Sequence, residues 1–245
     1  MAMRVKPAEE SAVRCNVCGH DEFIDMNTRK GVRCAVCGSL ERTRLVWLYL
    51  QKLDLQRDAR ILHLAPEKGL HDALVKRVEE GNYRQGDINP KLYPFASNIS
   101  KVDLCDLDHM PSGEYDLILH SHVLEHTPCN IAYTLYHLHR MLKEDGHHVF
   151  IVPFMPGRYD ECFQEIGDAE RTRRFGQFDH VRMFGTEDIP AHLGSLLEMA
   201  PEFDATRDFP ESALREANIP ESNWRGYHPG TVMMFGKYDM KLLKP

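Results

Sequence analysis

The residues best suited to chemistry lie together in Tyr115 to His126, YDLILHSHVLEH, which carries His120, His122, Glu125 and His126. A neutral imidazole takes up protons near neutral pH, and a carboxylate beside it can orient it. The same donors also bind divalent cations. The spacing of His122, Glu125 and His126 lets one turn bring two imidazoles and a carboxylate together. A metal held there would lower the pKa of a coordinated hydroxyl. Three readings stand side by side: a divalent metal centre, a metal-free general base, and a packing role. The spacing H-x-x-E-H also occurs in zinc proteases, but on a helix. Here it follows the apolar run Leu117-Ile118-Leu119, which reads as a buried parallel strand. In open α/β sheets the carboxyl ends of such strands are where ligands bind.

A second constellation is Cys15-Asn-Val-Cys18-Gly and Cys34-Ala-Val-Cys37-Gly, C-x2-C-x15-C-x2-C. Two such knuckles supply four thiolates for a tetrahedral zinc ion, with no position left open for substrate, so the expected role is structural. A redox-active pair, a disulfide pair and a nucleic-acid-binding ribbon are the alternatives. Phe23 to Met26 and Gly31 to Arg33 would form the ribbon's short strands. The odd total of seven cysteines suits a reducing compartment in which thiols bind metal.

The elements that must position these residues follow from periodicity. Ser39 can cap a helix carrying Leu40, Leu45, Val46, Tyr49 and Leu53 on one stripe, with Arg42 and Arg44 on its solvated side. Ala59 to Ala65 reads as the first strand, Leu70 to Glu79 as a helix, and Tyr83 to Asp87 as the second strand. Asp87, at that strand's end, can accept both hydroxyls of a ribose, or merely start the Asn89-Pro90 turn. Ile131 to Lys143 is a helix and His147 to Pro153 a strand, with His137, His139, His147 and His148 read as surface or partly packed residues. Residues 156–185 lose the pattern; Arg182 there could clamp an anionic substrate, and Arg171, Arg173 and Arg174 make a solvated or ion-paired face. Glu187 to Met199 is a helix, and Phe203 to Phe209 and Thr231 to Tyr238 are strands. The alternation predicts an α/β, Rossmann-like, seven-stranded and mostly parallel sheet with helices on both faces. The expected division is a four-cysteine zinc ribbon at 1–38, a linking helix at 39–58 and the α/β domain at 59–245.

The net charge of −7 disfavours a broad grip on nucleic acid. No apolar run approaches the roughly 18 residues of a membrane span, and the first residues lack a signal-peptide core, so the expectation is a cytoplasmic protein without a membrane partner.

The Asp-led strand ending in V-L-E-H at Val123 to His126 resembles the fourth strand of class I S-adenosylmethionine-dependent methyltransferases. The resemblance implies that Asp87 holds the cofactor's ribose, and that Asp103, with Asp106 as the alternative, takes the adenine amino group beside the backbone of Leu104. It aligns His63, Ala65, Glu67 and Gly69 with the family's acidic and glycine-rich loop, where only Gly69 keeps the pattern. Glu67 would then meet the cofactor's ammonium group, and His120 would also border the cofactor. Two methyltransferase groups, of small RNA and of polyprenyl catechols, carry E-x-x-E-H here and bind a divalent metal. In the RNA group a later histidine completes the site, and His180 is its counterpart; it lies in residues 156–185, an insertion after the fifth strand that the resemblance implies is a lid over the substrate. A ribbon ending in C-x-x-C-G-S-L-E-R resembles a bacterial subgroup of the same class. The implied activity is methyl transfer to a small molecule, at oxygen. An RNA methyltransferase using the ribbon for recognition, and a non-catalytic module left by the altered loop, are the alternatives.

Overall fold

The computed structural model describes residues 13–244; the first twelve residues of the segment expected to form the ribbon lie outside them. β1 (Phe23–Met26) and β2 (Arg29–Cys34) pair antiparallel, with Phe23 opposite Cys34, and Asn27 turns between them at a φ of 54°. The hairpin lies between the two cysteine knuckles and brings them together.

α1 (Glu41–Lys52) buries Leu45, Val46 and Leu50 completely. Two expectations about it are corrected. Ser39 does not cap the helix; Thr43 Oγ1 accepts from the Leu40 N–H at 3.2 Å, and the Ser39 hydroxyl instead lies 3.1 Å from Cys15 Sγ and 3.2 Å from Cys37 Sγ. Arg44 is not solvated. Its guanidinium is wholly buried and donates to the carbonyls of Val32 (3.0 Å), Ser39 (2.8 Å), Ala217 (2.6 Å) and Asn218 (2.7 Å). A buried cation is costly unless its donors are satisfied. Four carbonyls satisfy this one and tie the hairpin to the C-terminal part of the chain.

The main sheet is built from β3 (Ile61–Leu64), β4 (Tyr83–Asp87), β5 (Ile99–Lys101), β6 (Tyr115–Ser121), β7 (Leu142–Ile151) and a C-terminal strand, Met233–Gly236. The order runs from the C-terminal strand through β7, β6, β3 and β4 to β5, and only the C-terminal strand is antiparallel. The chain runs outward from β3 to β5, then crosses to the other side of β3 to lay down β6. That reversal opens a crevice at the carboxyl ends of β3 and β6.

Side chains alternate between two cores. Ile61, Leu117, Leu119, Val149 and Ile151 face α1, α2 (Lys68–Leu74) and the region of Trp224. Leu62, Leu64, Ile118, Phe150 and Val152 face α3 (Ile131–Met141), with its Leu135 and Leu138. Each fully buried leucine contributes roughly 1.5–3 kcal/mol, so a one-residue slip of β6 would cost several such contacts at once.

The sheet has six strands among the described residues, where seven were expected. Phe203 to Phe209 buries Phe203, Ala205 and Phe209 but does not extend. Asp204 Oδ1 accepts the Thr206 N–H at 3.0 Å, and this cap turns Ala205–Arg207 into a 3-10 turn. Only an isolated bridge, Asp204 to Arg225, remains of the expected strand.

Residues after β7 fold into a small sheet of β8 (Phe154–Met155), β9 (Asp160–Glu161) and β10 (Arg182–Gly185), with α4 (Asp168–Phe175) packed beside it. Arg173 pairs with Glu170 and Arg174 with Asp160. Arg171 departs from the expected solvated face: it is buried and donates to the carbonyls of Cys162, Gln164 and His180. The expected helix at Glu187 to Met199 is broken into a 3-10 turn at Ile189–Ala191 and a single turn, α5 (Leu193–Leu196). α6 (Glu211–Glu216) follows, and the C-terminal strand is β11.

Candidate active site

The crevice holds a cavity of about 390 Å³, lined by Ala65, Asp87, Asp103, Leu104, His122 and His126 among others. These six are the expected site residues that line it. The walls are preorganised. Asp87 Oδ1 accepts the Asn89 N–H at 2.7 Å and Oδ2 accepts the Tyr93 hydroxyl at 2.8 Å, which fixes the carboxylate and leaves lone pairs for further donors. Asp103 Oδ1 accepts the Cys105 N–H at 2.8 Å. Gly86 lies where a Cβ would stand 2.5 Å from Val102 Cγ2, so the close approach of β4 to the segment after β5 requires glycine.

Two cavity residues take a backbone conformation that non-glycine residues rarely adopt: Ala65 at φ 47° and His122 at φ 54°. Each terminates a central strand, and each is held by a sheet-type bond, Ala65 N–H to the Gly86 carbonyl (2.9 Å) and His122 N–H to the Ile151 carbonyl (3.0 Å). Strain of roughly 1–3 kcal/mol per position is characteristic of functional turns.

Beyond β6, Leu124–His126 forms a single 3-10 turn. His122 Nδ1 lies 3.2 Å from Glu125 Oε1, and Glu125 is fully buried. The carboxylate assigns the proton to Nδ1, which leaves the buried Nε2 as a lone pair with no partner among the described residues. On the other side of Glu125, His180 donates Nδ1–H to the Phe175 carbonyl at 3.0 Å, so its buried Nε2 is also a lone pair, and it too lacks a partner, as does Glu125 Oε2. Burial lowers the His180 pKa and favours the neutral ring. The ring of His126 meets that of His180 edge-on at 4.7 Å. Ligand atoms of Glu125, His126 and His180 lie within 4.8 Å of one another. His180 thus stands in the cluster where sequence spacing placed His122, while His122 Nδ1 faces Glu125 Oε1.

The turn is clamped by the lid. Val181 N–H donates to the Glu125 carbonyl at 2.8 Å. Arg182, wholly buried, donates to the Leu124 carbonyl (2.9 Å), to Thr127 Oγ1 (3.1 Å) and carbonyl (2.9 Å), and to the Cys129 carbonyl. Both terminal nitrogens are taken up by the chain itself, while Nε is buried without a hydrogen-bond partner, so the expected anion clamp is instead a clamp on the turn at Leu124–His126.

Four expected cofactor residues do not line this cavity. His63 faces the α1 core, 2.8 Å from the Tyr83 hydroxyl, with burial pushing its pKa down to about 3. His120 faces the α3 core. Its Nε2 lies 3.0 Å from His148 Nε2, and His148 Nδ1 lies 3.1 Å from His139 Nε2. His139 and His148, expected to be superficial, are thus buried members of a three-histidine chain. Glu67 accepts from Arg42 Nη2 at 3.2 Å and Thr43 Oγ1 at 3.3 Å, and a Cβ on Gly69 would stand 3.2 Å from the Cys37 carbonyl. The loop expected to cradle the cofactor is packed on the ribbon.

At the ribbon itself, Cys15, Cys18, Cys34 and Cys37 converge, with Sγ to Sγ distances of 3.6 Å (Cys15 to Cys37) and 3.5 Å (Cys18 to Cys34). Tetrahedral zinc with bonds of about 2.3 Å needs sulfurs about 3.8 Å apart, so the four thiols are arranged as a zinc site requires. Of the remaining cysteines, Cys105 and Cys129 are disulfide-bonded and Cys162 is free. Tyr93 and Cys105 line the cavity and were missed by sequence reasoning; the only signal was their closeness in sequence to Asp87 and Asp103.

An open parallel sheet with a carboxylate closing β4, a strained turn closing β3 and a base-bearing turn closing β6 defines an α/β enzyme that binds a nucleoside cofactor at its switch point. A family model described as a methyltransferase domain matches residues 18–190. The chain belongs to that family and is an S-adenosylmethionine-dependent methyltransferase. Among solved structures it is similar to the YcgJ protein of Bacillus subtilis, at 16% identity and a TM-score of 0.47 over 73% of this chain and 79% of that one. It is also similar to an S-adenosylmethionine-dependent methyltransferase of Mesorhizobium loti, at 17% identity and a TM-score of 0.48 over 78% and 95%. No curated protein sequence matches the chain. Among the described residues no helix is long and apolar enough to cross a membrane.

Proposed function

We propose that this methyltransferase acts on a hydroxyl oxygen of a small molecule, with His122 as the general base and Glu125 as the group that orients it. The observation that carries this reading is the His122 ring, which lines the cofactor cavity, keeps a buried and unpartnered Nε2, and is backed at Nδ1 by a buried carboxylate. When bound, the cofactor supplies an electrophilic methyl group on a sulfonium. Asp87 would hold its ribose hydroxyls, Asp103 the adenine amino group with the Leu104 backbone beside it, and the strained Ala65 turn would let the backbone approach its methionine end. The chain then has two tasks, to align the acceptor oxygen and to remove its proton. His122 Nε2 takes that proton, and Glu125 stabilises the resulting imidazolium across Nδ1.

The test is to incubate the protein with a labelled methyl donor and a panel of hydroxylated small molecules, followed by NMR location of the new methyl group. His122→Gln is expected to lower kcat by about 10²–10⁴ while leaving S-adenosylhomocysteine affinity within about twofold. Methyl transfer confined to RNA, or an unimpaired H122Q enzyme, would reject the reading.

A second reading is favoured by the bare buried Glu125 Oε2 and His180 Nε2: Glu125, His126 and His180 would hold a divalent cation, whose chemistry is to acidify and orient an acceptor hydroxyl. Metal analysis separates the two. One metal per chain in fully active protein leaves the base alone, whereas two metals per chain, falling to one in His180→Ala, supports the cation.

A further inference from the structure

We propose that Cys105 and Cys129 form a redox-modifiable site that sets how tightly the crevice holds its cofactor. The inference rests on assigning the cavity to the cofactor.

The two sulfurs join two separate segments of the chain that both contribute to the cavity wall. Val102 to Cys105 follow β5 and line the cavity, and so do His126 to Pro128 beyond the catalytic turn. The disulfide bridges 24 residues of sequence, with the two Cα atoms 5.7 Å apart. Each cysteine also holds a functional group. The Cys105 N–H is the donor that fixes Asp103, and the Cys129 carbonyl is one of the acceptors that anchor Arg182, the residue clamping the turn of His126. The covalent link therefore connects the carboxylate assigned to the adenine with the catalytic turn. Noncovalent contacts parallel to it are few: Thr134 Oγ1 donates to the Leu104 carbonyl at 3.3 Å, and the Tyr133 hydroxyl accepts the Leu107 N–H at 2.8 Å. These hold the wall in place without the bond but leave Asp103, which is exposed, freer to move.

Both cysteines are only half-buried, so a small thiol or disulfide can reach them. Their chemistry is thiol–disulfide exchange. One thiolate attacks a low-molecular-weight disulfide and releases one thiol as a mixed disulfide forms. The second thiolate then displaces the other thiol and closes the Cys105–Cys129 bond. Two protein thiols are oxidised, and one small disulfide is reduced to two thiols. The reverse sequence opens the bond. Closing it preorganises the wall, so the cost of ordering Asp103 is met before the cofactor arrives.

The test uses the full chain with its zinc content measured before and after treatment. The protein is equilibrated with oxidised or reduced glutathione, its free thiols are counted by alkylation and mass spectrometry, and each form is titrated calorimetrically with S-adenosylhomocysteine. The oxidised form is expected to bind about three- to tenfold more tightly. The Cys105→Ser/Cys129→Ser variant should bind like the reduced form in both buffers, and Cys162→Ser should keep the wild-type response. If the double variant melts early, Cys129→Ala alone serves in its place. Equal affinity in two forms whose bond has demonstrably opened and closed would overturn the proposal, as would free thiols at Cys105 and Cys129 after oxidation. Absence of binding in both forms of a folded, zinc-loaded protein would instead remove the cavity assignment on which it rests.

Discussion

The turns that close β3 and β6 start alike and end differently. Both leave a buried central strand through a non-glycine residue in the left-handed region, Ala65 and His122. Both strands carry a buried histidine just before that turn, His63 and His120. After β6 the chain delivers His122, Glu125 and His126 to the cavity or its immediate support. After β3 it turns away. Glu67 meets Arg42 and Thr43, and Gly69 lies against Cys37. The difference shows what a second structural unit does to a cofactor loop. Glycines are required where backbone must approach a ligand closely, and this loop spends its close approach on the four-cysteine hairpin. Ala65 alone remains at the cavity.

The largest effect expected from breaking this arrangement is metal removal. Structural zinc contributes about 10 kcal/mol or more of apparent binding free energy in isolated zinc-finger peptides at pH 7. If the β3 turn is held by the ribbon, stripping the metal will unfold the hairpin and also release Glu67 and Gly69. Affinity for S-adenosylhomocysteine should then fall at least about fivefold, within the usual range of coupling between sites, while the β6 turn stays intact. Thermal melts and calorimetry on chelator-treated protein provide the check. A metal-free protein with unchanged melting temperature and affinity would mean that the ribbon does not support the loop.

How much of this was legible in the sequence differs between the same two regions. The β6 motif reads directly, because an apolar strand, a base and a carboxylate lie contiguously in Leu117 to His126. The mostly parallel sheet follows from the alternation of strands and helices, whereas its strand order does not. The β3 loop was legible only as a departure from the glycine pattern. Its partner, Cys37, lies 32 residues earlier, and nothing local points to it. Arg44 and Arg182 were misread for a related reason. A guanidinium's polarity suggests solvent, whereas backbone carbonyls from distant segments satisfy it in the core. The same holds for His139 and His148, whose partners are each other. Asp204 was misread because its apolar neighbours suggested a strand, and a single side-chain cap overrode them.

The next effect compares the histidines beneath the two turns. Burial pushes the pKa of His63 and His120 down to about 3 and that of His139 to about 4, and holds His148 well below its ordinary value. An unfolded histidine titrates near 6.5. Because the folded values are depressed, the unfolded state binds more protons in mild acid, so stability is complete above pH 6.5 and declines as pH falls toward 4. Each histidine that stays neutral withdraws about 1.4 kcal/mol at pH 5.5. Urea titrations at pH 7.5 and 5.5 should reveal uptake of several protons on unfolding, reduced by one in His63→Phe and in His120→Phe alike. Uptake of one proton or fewer would show that these rings are already charged in the fold.

The smallest effect separates the turns most cleanly. Glu67 is partly exposed, and its ion pair with Arg42 is of the surface kind, worth up to about 1 kcal/mol. Glu67→Gln keeps the shape and one acceptor oxygen for Thr43. Stability should shift by less than about 1 kcal/mol. If Glu67 serves the ribbon contact and not the cofactor's ammonium group, the Kd for S-adenosylmethionine should stay within about twofold, since removing the partner of a bound cation would cost considerably more. Glu125→Gln makes the opposite change on the other turn: whether the amide presents its oxygen or its nitrogen to His122, the charge that stabilises the protonated ring is gone. Catalysis should therefore fall while cofactor affinity holds. A tenfold loss of cofactor affinity in E67Q would return the β3 loop to the cofactor and remove the contrast between the two turns.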